Sequence, residues 1–116
     1  MKITKITSDK LGSNTYIVET DEGIIVIDPS VSIELITDVA KKAKKKIQYA
    51  LITHGHFDHC CTAAALQKQG VKILMSAEDY SMFEKGYDLS RFFGGNFQKF
   101  VPDMFISEGK YNLIGL

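Results

Sequence analysis

Apolar and polar positions along the chain predict an opening hairpin followed by strands and helices in alternation. Lys2 to Thr7 alternates loosely, with Ile3 and Ile6 breaking register by one, and predicts an edge strand. After the turn-forming Leu11-Gly12-Ser13-Asn14, the segment Thr15 to Thr20 is rich in β-branched and aromatic residues. Asp21-Glu22-Gly23 then makes a hairpin turn into Ile24 to Ile27. Those four residues are apolar on both faces, the pattern of a strand inside a covered sheet, and Asp28-Pro29 closes it. Ser32 predicts the N-cap of a helix from about Ile33 to Lys45, with Ile33, Ile36, Val39, Ala40 and Ala43 on one stripe. Gln48 to Thr53 is the next strand. Cys60 to Gln69 is a helix stopped by Gly70, Val71 to Ser76 a further apolar strand, and Glu78 to Lys85 a short helix closed by Gly86. From Tyr87 to Pro102 the pattern fades into an aromatic-rich loop broken by Gly94-Gly95. Met104 to Ser107 is a last short strand before a Glu108-Gly109 turn. The class is α/β or mixed.

Composition narrows the options. A chain of 116 residues holds one small domain. Its 45% hydrophobic against 24% charged residues fit a packed core rather than disorder. No apolar run approaches the roughly 20 residues that cross a bilayer, so no membrane span is expected. Fourteen basic and fourteen acidic residues balance, which argues against a dedicated nucleic-acid binder. Five lysines (Lys41, Lys42, Lys44, Lys45 and Lys46) gather at the end of the first predicted helix, and there they complement its dipole as a solvated end. The start has no apolar signal region, and the only two cysteines, Cys60 and Cys61, are neighbours that cannot bridge distant segments. Both features predict a reducing, cytoplasmic setting.

One segment carries chemistry. All three histidines, His54, His56 and His59, lie within six residues, with Asp58 among them. The cluster begins where a buried strand ends and closes where a helix starts, the carboxyl edge at which open α/β sheets place ligands. In extended backbone the imidazoles of His54 and His56 leave the same side and can grip one cation, with Gly55 allowing a tight turn between them. Asp58 and His59 are offset and are placed for a second cation. Imidazole and carboxylate are the ligands of zinc, and iron and manganese accept the same set.

The string Thr53-His54-Gly55-His56-Phe57-Asp58-His59 resembles the signature of the metallo-β-lactamase superfamily, in particular its glyoxalase II-like thioesterase branch. The resemblance runs along nearly the whole chain. Gly12 to Val18 looks like the family's first hairpin and Gly23 to Ser30 like its second. Gln48 to His59 looks like the metal strand and loop, and Val71 to Ala77 and the Glu108-Gly109 turn fall in family order. It implies an αββα sandwich with a metal centre at one edge of its sheets, present here as roughly the N-terminal half: a single, incomplete domain over residues 1–116. His54 and His56 would hold one metal, and Asp58 and His59 the second. Asp58 is also the catalytic candidate, while Asp28, Thr53 and Gly55 would be supporting residues. The family reaction is hydrolysis of an acyl group by a water that loses its proton between the metals. It implies zinc as the cofactor and a small-molecule acyl substrate, a thioester or ester.

The sequence departs from that pattern in two ways. No fourth histidine supplies the family's downstream ligands, so a complete two-metal centre needs a missing C-terminal half or a second copy of the chain. A half-sandwich would also leave one sheet face in water, which predicts a homo-oligomer. Two readings follow: a metal-dependent hydrolase completed from elsewhere, or a catalytically inactive metal-binding or interaction module. Second, Cys61-Thr62 stands where the family carries Gly-Gly or Gly-small. Cys61 is then either a small apolar residue packed at the helix start or an additional thiol near the site.

Overall fold

A computed structural model describes residues 2–8, 13–53, 62–76, 80 and 101–106. Six strands form one mixed sheet in sequence order: β1 (Lys2–Thr7), β2 (Asn14–Glu19), β3 (Ile24–Ile27), β4 (Ile47–Leu51), β5 (Lys72–Ser76) and β6 (Met104–Ile106). The first three pair antiparallel, as the hairpin turns require. From β3 onward the pairs are parallel, so each connection must cross a face of the sheet. Helix α1 (Ile33–Ala43) spans the β3–β4 connection and α2 (Ala63–Lys68) lies in the β4–β5 connection.

Both helices share one face. Ile36 and Ala40 of α1 and Ala63, Ala64 and Leu66 of α2 join Ile17, Val26, Ala50, Ile73 and Met75 of the sheet in one buried cluster. The pleat sends Val18, Ile25 and Leu74 to the opposite face, and they too are buried. The double burial of β3 is what its uniformly apolar sequence requires. β1 is an edge strand, with Ile3 exposed. The described residues form one sheet layer and its helical layer; the second sheet of a sandwich is not among them.

Several element boundaries differ from the sequence pattern by one to three residues, most of all at the helices. α1 stops at Ala43 instead of reaching Lys45, because Lys44 turns left-handed (φ 56°) and the amides of Lys44 and Lys45 fold back onto the carbonyls of Lys41 and Ala40. Lys44, Lys45 and Lys46 therefore lie beyond the helix. Ser32 occupies the N-cap as expected, yet its side chain makes no capping bond. α2 begins at Ala63 rather than Cys60, and Gly70 (φ 92°) follows it in the left-handed region where a side chain is strained. The predicted Glu78–Lys85 helix, aside from Tyr80, and the loop up to Phe100 lie outside the described residues.

Candidate functional site

β3 and β4 run parallel with Ile27 opposite Leu51, so the residues that leave them emerge together at the carboxyl edge. Asp28 leaves β3 there. Its amide donates to the Leu51 carbonyl at 2.9 Å, prolonging the ladder by one bond. Its backbone is left-handed (φ 53°), a conformation that aspartate tolerates better than most residues. The bend aims the buried carboxylate across to β4's exit. Oδ1 accepts the Thr53 amide at 2.7 Å and Oδ2 accepts the Thr53 hydroxyl at 2.5 Å. Ile52, between β4 and Thr53, is itself tied to β5 through its amide and the Leu74 carbonyl. The next residue in the chain is His54.

The turn after Asp28 is fixed from the other side by buried hydroxyls. Thr15 of β2, fully buried, donates its proton to the Asp28 carbonyl at 2.8 Å and accepts the Ser30 amide at 3.0 Å. Ser13 Oγ donates to Ser30 Oγ at 3.1 Å, and Ser30 Oγ lies 3.1 Å from Thr15 Oγ1. Ser13, Ser30 and Thr15 thus form a buried run of hydroxyls beside the Asp28 carbonyl, and the Val31 amide also points at Thr15 Oγ1, at 3.4 Å. Thr15→Val keeps the shape but removes both a donor and an acceptor at a dry position. It is expected to lower unfolding stability by about 2 kcal/mol in urea denaturation, and a loss below about 0.5 kcal/mol would show the run to be unimportant.

The same turn also receives the start of α2. The Thr62 amide donates to the Pro29 carbonyl at 2.8 Å and the Thr62 hydroxyl to the Val31 carbonyl at 2.5 Å. Asp28, Pro29, Ser30 and Val31 thus meet β2, the exit of β4 and the entry of α2 at one point.

Of the residues singled out from sequence, the structure places Asp28 and Thr53 and brings them into contact. His54, Gly55, His56, Asp58, His59 and Cys61 lie outside the described residues. Among the described residues no three His, Cys, Asp or Glu side chains gather into a metal-binding group. What the described residues supply is a frame, holding the chain on either side of the histidine segment to one turn. Sequence reading missed Thr15, Ser30 and Thr62 as parts of it. A threonine in a strand or at a helix start carries no mark of burial, and only the Cys61-Thr62 replacement of small residues drew attention to position 62.

The chain matches the pattern of the Metallo-beta-lactamase superfamily over residues 8–110. It is 37% identical over 59 residues to a probable metallo-hydrolase of Streptococcus pyogenes serotype M6, covering 51% of this chain and 25% of that protein. It is 30% identical over 87 residues to a type 2 metallo-beta-lactamase of Bacillus cereus, covering 71% and 34%. Among solved structures, TTHA1623 in a di-iron-bound form superposes with a TM-score of 0.77 at 29% identity, over 97% of this chain and 57% of that one. The chain therefore spans a quarter to a third of the length of these curated relatives and somewhat over half of the solved one. Among the described residues no helix is long and apolar enough to cross a membrane.

Proposed function

The chain belongs to the metallo-beta-lactamase superfamily, and from that premise we propose that it is the metal-binding portion of a hydrolase that cleaves a thioester or ester. His54, His56, Asp58 and His59 hold the metal in this reading. The observation that carries it is the pairing of a hard-to-coincide donor set with a braced point of departure. Three imidazoles and a carboxylate lie within six residues, directly after a threonine whose amide and hydroxyl are both gripped by Asp28. That donor set suits a borderline divalent cation, with zinc as the first candidate. A solved relative that carries two irons keeps iron in contention.

A divalent cation held there supplies Lewis acidity, polarising an acyl carbonyl and making a water acidic enough to ionise near neutral pH. The chain's own residues supply position. Asp28 fixes the backbone at Thr53, the residue that precedes His54 in the chain. Thr62 and the Pro29–Val31 carbonyls fix the far end. Rigid placement of this kind matters because a metal accepts ligands only within a few tenths of an ångström of its preferred distances.

The test is metal analysis of the purified protein joined to hydrolysis of an acyl-thioester and ester panel, before and after chelation. Bound metal near stoichiometry, turnover lost on chelation and turnover restored by zinc or ferrous iron would support the reading. Stoichiometric metal with no turnover on any substrate would instead make the chain a non-catalytic metal-binding module.

A further inference from the structure

Both ends of the histidine segment are tied to the same four-residue turn, and the second tie depends on a side-chain hydroxyl. At the entry, Asp28 holds Thr53. At the exit, Thr62 holds the carbonyls of Pro29 and Val31 through its amide and its hydroxyl. Any residue's amide makes the first of those exit bonds; only a hydroxyl side chain makes the second. Thr62 is buried and its backbone is right-handed (φ −101°, ψ −1°), so nothing in its conformation demands glycine. The buried Val31 carbonyl needs a donor, and Thr62 brings one where water has little access.

We propose that Thr62 is a positioning residue for the metal segment: its hydroxyl fixes the exit of residues 54–61 to the turn whose Asp28 fixes their entry. The distance those eight residues must span is then set by one rigid turn instead of by two independent elements. The turn is stiff for a stated reason, since its backbone groups at positions 28 to 31 are bonded to Thr15, Leu51 and Thr62, on three different elements. Closing a short segment between fixed points removes conformations that a metal would otherwise have to select against, and that raises affinity without adding a ligand. This inference rests on the proposed metal site at His54, His56, Asp58 and His59.

The experiment titrates zinc alone into metal-free protein by calorimetry, for the unmodified chain and four variants. Thr62→Val keeps the shape and loses the hydroxyl. Thr62→Gly keeps the amide bond and likewise loses the hydroxyl, and serves if valine at this position prevents folding. Thr62→Ser restores the donor. Ile73→Val loosens the core on β5, away from the turn, and controls for stability alone. Thr62→Val and Thr62→Gly are expected to weaken zinc binding by about 10- to 100-fold, the range seen when groups supporting metal ligands are removed. Thr62→Ser should stay within about threefold of the unmodified protein, and Ile73→Val should lose thermal stability but not affinity. Equal zinc affinity in Thr62→Val and the unmodified chain would overturn the role of Thr62 and leave the metal site standing. An equal loss in Ile73→Val would overturn it too, because stability would then account for the effect. No zinc uptake by the unmodified chain would remove the metal site itself, and this inference with it.

Discussion

His56→Ala is expected to take hydrolysis to background, a loss of roughly a thousandfold or more, while leaving the fold intact. The size follows from two steps. In the pairing that the family resemblance implies, losing His56 leaves His54 alone on its cation, well short of the three protein ligands and a water that a catalytic cation ordinarily keeps. Losing the cation then forfeits several kcal/mol of transition-state charge stabilisation, and about 4 kcal/mol already corresponds to roughly a thousandfold in rate. The fold should persist because the buried cluster is built from β2 to β5, α1 and α2, none of which contains position 56. Turnover and metal content of the variant are measured beside the melting temperature of the metal-free protein. Undiminished turnover in His56→Ala would sink the assignment of the histidine segment as the reaction centre. Lost turnover with an unchanged metal-free melting temperature would support it.

Asp28→Ala is expected to lower unfolding stability by about 4 kcal/mol and to weaken metal uptake at least tenfold. Two terms build that figure. The carboxylate accepts two bonds from Thr53, and bonds to a charged acceptor carry about 1.5–3 kcal/mol each when made in a buried place. Thr53 is exposed and its freed groups reach water, so the lower end of that range applies. The second term is conformational: alanine at φ 53° costs about 1 kcal/mol that aspartate largely avoids. Asp28→Asn separates the two, since asparagine also tolerates the left-handed backbone and keeps one acceptor. It should lose about 1 kcal/mol. Urea denaturation with zinc titration of the same samples reads both quantities. If Asn and Ala variants were equally destabilised, the strain term would be nil; if neither lost zinc affinity, Asp28 would brace the sheet and not the metal segment.

The histidine segment draws attention because its chemistry is written in residue types: imidazole and carboxylate are uncommon enough that their clustering after an apolar strand suggests a metal, and that reading rests on the sequence. The strands were legible for a different reason. Ile24 to Ile27 is apolar at every position, and a strand buried on both faces has no other composition open to it. Helix ends were less so. Nothing in Lys44 distinguishes it from Lys42 or Lys45, and its left-handed turn is chosen by where the chain must go to start β4, not by its side chain.

The sequence alone therefore determined the succession of strands along the chain, the helix stripe of Ile36 and Ala40 and the opening hairpin, because each rests on local periodicity. The tertiary structure decided how Thr53 and Thr62, on either side of the histidine segment, are held. Asp28 and Thr53 are 25 positions apart, Thr15 and Ser30 fifteen, and Val31 and Thr62 thirty-one. Their hydrogen bonds exist only because β3 and β4 lie parallel at one edge, with β2 on one flank and α2 crossing over the sheet. Serine and threonine are the same residues whether they face water or a buried carbonyl. Which of the two they face is fixed by the packing of distant strands, and no local pattern records it.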